Sequence, residues 1–465
     1  MAAAVAFTAS LTACATLPPP GPRPLPIAMN GYATAASFSA APAAWPSDLW
    51  WRDYRDPQLT ALIEEGLAHA TDFRVATERF AQAEAVARQY AARRLPRVDA
   101  NGEIGAMKQS YNYIFPAFAV PRGWKDFDQT TVDLSWEVDF WGKTRAASRA
   151  AHEDAAAAAA EAADARLVLS AGIAAAYADL AQLYAELDAA EDAVKVRRQT
   201  ADLLRGRFIK GLENNGAVER ARSGLASAEA DEAELRESIG LARARIALLL
   251  GEGPDRGLSI ARPAPRLDKA FGLPRNLPLE LVGRRPDVIA ARARAQAAAS
   301  RIRVAKAAFY PDVNLSAQIG LQALGVGNLV KSGSDYGTVA PAVSLPLFDG
   351  GELAGQYRAA EADYRIAVAQ YDGALAQALS QVAQAVISER ALSTRLDRTR
   401  AAEASAAAAW QTAQNRYRGG LATYLDVLTA EDSLINARRA VSALETRAFA
   451  LDVSLVRALG GGFQS

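Results

Sequence analysis

The chain is written twice, and each copy joins a short alternating stretch to a helical stretch far longer than a globular domain uses. In the first copy, Leu95-Pro96-Arg97-Val98-Asp99 opens a strand pattern, and residues 143 to about 208 read as one unbroken helix. In the second, Tyr310-Pro311-Asp312-Val313-Asn314 opens a strand pattern, and the helix runs from about Leu353 to Tyr417. Repetition of this kind is read before anything else because it decides the architecture.

The strand patterns have strict period two. Val132, Leu134, Trp136, Val138 and Phe140 fall on one face, and Asp133, Ser135, Glu137 and Asp139 on the other. Val98, Ala100, Ile104 and Ala106 likewise oppose Arg97, Asp99, Asn101 and Glu103, and Val313, Leu315, Ala317, Ile319 and Leu321 oppose Asp312, Asn314, Ser316 and Gln318. A fourth strand is expected around Val339, Val343, Leu345 and Leu347, weakened by Pro341 and Pro346. Such alternation places each strand between an apolar and a wet surface. Runs of about 9–11 residues match a tilted transmembrane strand, and Tyr111, Tyr113, Trp124, Trp136, Phe140 and Trp141 are candidates for an interfacial aromatic girdle. Four strands cannot close a barrel, and an open edge is not tolerated in hydrocarbon. Oligomerisation follows, and the arithmetic allows two, three or four copies.

The helices carry a narrow seam. Leu169, Ile173, Ala176, Leu180, Leu183 and Leu187 are spaced four, three, four, three and four, as are apolar residues of a coiled coil, and Val368, Tyr371, Leu375, Leu379, Val382 and Val386 follow a similar course. At ~1.5 Å per residue each long helix measures roughly 100 Å. Return helices are expected from about Ala217 to Leu250 and from about Thr423 to Leu459, stopped by Gly251 and by Gly460-Gly461-Gly462. A broken helix precedes each strand pair, divided near Thr71-Asp72 in one copy and at Arg285-Pro286 in the other. Strands and helices together predict a barrel-and-tunnel channel rather than an enzyme.

Lys plus Arg equals Asp plus Glu, 52 against 52, so charge offers no argument for a nucleic-acid partner. No run reaches about 18 apolar residues, which predicts that any bilayer crossing is made by strands. The single cysteine, Cys14, closes Leu11-Thr12-Ala13-Cys14 after an apolar stretch, a pattern that resembles a bacterial lipobox. A leader opens with basic residues, whereas the first here is Arg23, so the start of translation is expected upstream. Six prolines between Pro18 and Pro26 predict an extended tether that does not pack into a core. With only His69 and His152, and no second cysteine, no metal cluster is expected. No nucleotide-binding or nucleophile motif occurs, and no cofactor is expected beyond a covalent lipid on Cys14.

Trp50-Trp51, Asp56-Pro57-Gln58-Leu59, Trp136-Glu137-Val138-Asp139-Phe140-Trp141-Gly142, Arg284-Arg285-Pro286-Asp287, Pro346-Leu347-Phe348-Asp349-Gly350-Gly351 and Arg416-Tyr417-Arg418-Gly419-Gly420 occur in that order. The set resembles the TolC-like outer-membrane factors of tripartite efflux systems, nearest to the nodulation-protein-T-type efflux lipoproteins. The resemblance implies a mainly α protein with membrane β-strands, a homotrimer whose twelve strands close one β-barrel continued by a 12-helix α-barrel. It implies no catalysis. Small toxic compounds leave passively once an inner-membrane pump and a periplasmic adaptor engage the helical tips. The expected segments are a signal peptide (1–13), a lipid-anchored Pro-rich stretch among outer-membrane lipids (14–55), a first repeat (56–253), a connector (254–277) and a second repeat (278–462).

Two matching hairpin turns form the tips that would meet the adaptor: Arg207, Phe208 and Gly211 in one, Arg416 and Gly420 in the other. By resemblance, Tyr417 is a gating tyrosine, Leu425 an apolar constriction and Asp426 an acidic ring, with Tyr424 beside them. Ala422 and Thr429 replace charged residues that occur in some relatives, so few charged locks and a mainly apolar closure are expected. A protein-secretion exit duct shares the whole pattern, and a periplasmic coiled-coil scaffold shares the helices without needing strands or lipobox. The offset between copies drifts from 215 residues (Pro96 to Pro311) to 207 (Val138 to Leu345) and settles at 209 (Gly211 to Gly420, Gly251 to Gly460). Length change is thus expected in the loop between strands, and constant length in the helical hairpins.

Overall fold

A computed structural model describes residues 16–28, 31–112, 115–116, 118–266 and 271–464. Cys14 and Tyr113 lie outside the described residues. Helices α1 (Pro57–His69) and α2 (Thr71–Ala92) lead into strands β1 (Arg97–Met107) and β2 (Lys125–Glu137). The long helix α3 (Lys143–Ile209) and its return α4 (Asn215–Leu250) complete the first copy. In the second copy, a one-turn helix (Leu277–Leu281) and α5 (Pro286–Ala307) lead into β3 (Asp312–Leu324) and β4 (Asp335–Ser344). Helices α6 (Glu352–Arg418) and α7 (Tyr424–Ala458) follow. Both long helices have 67 residues, so the copies keep their helical length.

The four strands form one antiparallel sheet in the order β1-β2-β3-β4. The register brings the expected faces together across all strands: Ala100 opposes Val132, Val132 opposes Ile319, and Ala317 opposes Val339. On the other face Asn101 Nδ2 and Thr131 Oγ1 each donate to Asp133 Oδ2 at 2.7 Å. Two strand ends were overread. Strand β2 stops at Glu137 and β4 at Ser344, so Phe140, and Leu345 and Leu347, alternate beyond the sheet, and Val138 keeps only a last bond to the Val313 carbonyl. Pro341 sits inside β4, which tolerates it because β4 is an edge strand.

By contacts the chain divides into two compact units. One includes Phe80–Ala158 and Ala291–Tyr371, hence the whole sheet. Here the duplication repeats in packing: Ala87 of α2 lies against Ala151 and Ala155 of α3, while Ala295 and Ala298 of α5 lie against Ala367 and Val368 of α6. Alanine at these contacts permits close interaxial approach. The Pro-rich segment forms no helix or strand over its described residues 16–28, but it is not a free tether. Gly21 N donates to Glu361 Oε1 at 3.0 Å, Arg23 donates to Tyr357 Oη at 3.0 Å, and Tyr364 Oη donates to the Pro24 carbonyl at 3.1 Å.

The other unit includes Ile27–Arg79, Ala159–Ala290 and Asp372–Ser465. Its core gathers Trp50, Trp51 and Tyr54 with Leu62 and Ile63 of α1, Ile173, Tyr177 and Leu180 of α3, Ile246 of α4, and Phe449 and Val453 of α7. One 18-residue window of α3 is apolar enough to cross a bilayer by length and composition, which corrects the expectation that no helix would be. Half of that window is buried in the protein, and Ile173, Tyr177 and Leu180 show that the apolar stripe of α3 serves core packing.

Asp56 explains one sequence marker. Its Oδ1 accepts from the Gln58 and Leu59 amides at 2.9 and 3.2 Å, capping α1, with Pro57 at the first helical position. Its Oδ2 accepts from Tyr177 Oη at 2.7 Å and from the Ala264 amide at 3.1 Å. Arg285 explains another, bridging Asp287, Gln381 Oε1 at 2.7 Å and the Ala458 carbonyl at 3.1 Å. These markers hold the fold rather than form a site.

Candidate functional site

The two hairpin turns use the same backbone device. Gly211 and Gly420 adopt φ of 69° and 75°, a left-handed conformation that costs a side-chain-bearing residue energy. The chain then closes on itself: the Leu212 amide donates to the Arg207 carbonyl at 2.9 Å, and the Leu421 amide donates to the Arg416 carbonyl at 2.8 Å. Arg416 also donates from its guanidinium to the Leu421 carbonyl at 3.3 Å. Asn214 caps α4 by accepting from the Ala217 amide at 2.9 Å. Phe208, Ile209, Leu212 and Leu421 are left exposed at the tips.

Behind the turns the two hairpins pack on each other. Tyr417, Tyr424 and Val427 meet Ala201, Leu204, Ala217, Val218 and Ala221 in one cluster. Tyr417 is only 4% exposed, its hydroxyl donates to Glu213 Oε2 at 2.7 Å, and the Arg207 guanidinium lies 4.7 Å over its ring. Burial and the Glu213 carboxylate both push the Tyr417 hydroxyl pKa up. Tyr424 packs edge-on to Tyr417 at 6.2 Å and is pushed up to about 12, first by burial and then by nearby Glu431. Tyr424 is therefore part of the hairpin packing, whereas Leu425 beside it is exposed.

Asp426 is exposed and completes a capping box at the start of α7, its Oδ2 accepting from the Thr423 amide at 2.8 Å and hydroxyl at 2.9 Å. Those bonds hold its carboxyl below the usual aspartate range. Within the protomer, Arg197 of α3 reaches Asp432 of α7 at 2.5 Å, and Arg439 of α7 reaches Asp231 of α4 at 2.8 Å, so ion pairs tie the second hairpin to the first.

Glu431 was missed by sequence reasoning. It is 1% exposed, accepts from Thr200 Oγ1 at 3.2 Å through Oε2, and has the indole N–H of Trp410 beside it. Burial raises its pKa, opposed by Arg197. The signal was present in the sequence: Tyr424, Val427, Glu431 and Leu434 occupy successive core positions of α7, and one of the four is a carboxylate. Glu213 was missed as well, since nothing local to the first turn shows which carboxylate reaches a tyrosine 204 residues away. Among the described residues no group of three or more His, Cys, Asp or Glu side chains could hold a metal ion.

The sequence matches the family described as outer membrane efflux protein over residues 62–252 and 277–461. It is 37% identical over 370 residues to the fusaric acid resistance protein FusA of Burkholderia cepacia, covering 77% of this chain and 69% of that protein. It is 28% identical over 445 residues to the multidrug resistance outer membrane protein MdtP of Escherichia coli K12, covering 93% and 90%. Among solved structures, the outer membrane protein VceC of Vibrio cholerae superposes with a TM-score of 0.87 at 46% identity, covering 90% of this chain and all of that one.

Proposed function

The chain belongs to the outer membrane efflux protein family, and from that premise we propose that three copies close one 12-stranded β-barrel continued by twelve helices. The protein is an outer-membrane efflux channel. One observation carries the oligomeric reading, with the count of three taken from the family resemblance: a single sheet bears an exposed apolar face on strands of transmembrane length, and both its edges, β1 and β4, are bare among the described residues. Bare edges cannot stand in hydrocarbon, so they pair between copies.

Cargo crosses passively, and no residue performs bond chemistry. The relatives' resistance to fusaric acid and to multiple drugs supports small toxic organic compounds as cargo. A periplasmic adaptor engages the exposed tips, with Arg207, Phe208, Gly211, Arg416 and Gly420 at the turns, and an inner-membrane pump supplies the energy. Cys14 carries the covalent lipid, and the segment from Gly21 to Pro24, held along α6, leads from it. Leu425 and Asp426 line the periplasmic constriction, with Tyr417 and Tyr424 holding the hairpin that bears them.

The test uses the full-length protein extracted from outer membranes. Trimeric particles that conduct in planar bilayers, and that restore drug resistance to a strain lacking its own exit channel, are expected. A soluble monomer, or a trimer that never conducts, overturns the reading.

A further inference from the structure

At the periplasmic rim of the sheet the structure holds a concave basic site that channel function does not use. The β2–α3 junction is tied to the start of β3: the Trp141 indole donates to the Pro311 carbonyl at 2.9 Å, and Lys143 lies between Glu137 at 3.1 Å and Asp312 at 3.2 Å. Trp141 stacks on Tyr310 at 4.8 Å with 21° between the rings, and both remain accessible. Beside the stacked pair is a cavity of about 470 Å³ whose charged lining is wholly cationic: Arg145 and Arg149 from the start of α3, Arg303 and Lys306 from the end of α5.

Only one of these cations is compensated. Arg145 pairs with Asp139 at 3.1 Å, whereas Arg149, Arg303 and Lys306 form no salt bridge among the described residues. Nor does helix stability account for the pattern. Arg145 stands in the first turn of α3, which has no acidic residue, where the helix dipole disfavours a cation. Converging, unpaired cations in a concavity call for a counterion, and aromatic rings at the end of membrane strands mark the headgroup level. Basic pockets at that depth are suited to anionic lipid headgroups.

We propose that this site binds the phosphate-bearing headgroup of an anionic phospholipid of the periplasmic leaflet, with Arg149, Arg303 and Lys306 on the phosphate and Trp141 against the glycerol and upper acyl chain. The proposal rests on the membrane-spanning reading of the sheet. A bound headgroup would fix the depth of the sheet in the bilayer and the angle at which α3 leaves it.

The experiment is native mass spectrometry of the detergent-purified full-length oligomer, titrated with phosphatidylglycerol and separately with phosphatidylethanolamine. Preferential retention of phosphatidylglycerol is expected, weakened at least about tenfold by the triple variant Arg149→Gln, Arg303→Gln, Lys306→Gln and retained by Arg149→Lys, Arg303→Lys. Equal retention of the two lipids, or no effect of the triple variant, overturns the proposal. Loss of phosphatidylglycerol to excess inorganic phosphate would mean that the site takes a free anion, and overturns the lipid assignment. Dissociation of the oligomer with lipid preference intact would mean that the cations face carboxylates of a neighbouring copy, and overturns it equally. Bilayer conductance of the same preparation separates the two readings: a protein that never inserts fails as a channel, and one that conducts without headgroup preference fails only here.

Discussion

At the scale of single residues, the hairpin tips show how the same side chain serves packing and control. Tyr417 is buried and its hydroxyl is the donor in a bond to Glu213 that joins the two hairpins. Removing that hydroxyl costs the packed arrangement about 1.5 kcal/mol, roughly tenfold in a closed-to-open ratio. Tyr417→Phe is therefore expected to raise single-channel open probability about tenfold in planar bilayers, and an unchanged value would remove Tyr417 from the gate. Glu431 adds a pH dependence whose sign follows from its burial. Its pKa is raised above 4.5 in the packed hairpin, so the packed state binds the proton more tightly than a state that exposes the carboxyl. Packing is fully favoured below the ordinary glutamate value and weakens as pH rises through the raised one, so opening increases from acid toward neutral pH. Glu431→Gln stays uncharged and is expected to give a low, flat open probability over that range. Asp426 cannot mimic this, because its hydrogen bonds to Thr423 shift its pKa down, the opposite direction. The sequence exposed some of this chemistry and hid the rest. Asp56 and Arg285 stood out within their short motifs. Their partners Tyr177, Ala264, Gln381 and Ala458 lie 96 to 208 residues away, and only the fold brings them together.

At the scale of elements, ends set by local chemistry were the most legible. Gly251 follows the last residue of α4, Leu250, with φ of 77° and its amide bonded back into the helix, as the glycine stop implied. Strand ends were less legible because period two in the sequence outlasts the ladder: Val138 still donates to the Val313 carbonyl, but Phe140 turns back onto Val138. The Pro-rich segment misled for a related reason. Proline density dictates an extended backbone, yet says nothing about whether carboxylates and tyrosines on a distant helix will receive it, as Glu361 and Tyr364 do. The turn between α6 and α7 gives a direct test of local control. At Gly420, alanine in the left-handed region costs about 1 kcal/mol and asparagine less. Gly420→Ala is expected to accelerate hydrogen exchange at the Leu421 amide, which bonds to the Arg416 carbonyl, by about fivefold, and Gly420→Asn by less. Equal protection in both variants would mean that packing of Tyr417 and Tyr424, rather than the glycine, holds the turn.

At the scale of the whole molecule, the sheet makes a statement that no helix in the chain can make. Across four strands one face is apolar and exposed, carrying Val98, Val132, Ile319, Val339 and Val343, while the other carries Asn101, Asp133, Gln318 and Tyr336. A soluble half-buried sheet would cover its apolar face with helix or a second sheet, whereas these residues are left exposed, as the proposed membrane-spanning barrel requires. Period two therefore makes adjacent residues of one strand answer to different solvents. Ile319, 69% exposed, lies near the middle of β3, and Gln318 beside it points to the polar face. An arginine at the lipid midplane costs about 2–4 kcal/mol, whereas one on the lumen side costs little and alters ion preference. Ile319→Arg is expected to cut the amount of assembled, heat-resistant oligomer in the outer membrane severalfold. Gln318→Arg is expected to assemble normally and to shift the cation-to-anion permeability ratio toward anions, because it adds positive charge beside Asp133 in every copy. Gel mobility of unheated membranes reads the first effect and reversal potentials under a salt gradient read the second. Equal assembly of the two variants would mean that the faces do not separate lipid from lumen, and the sheet would then have to be a soluble one.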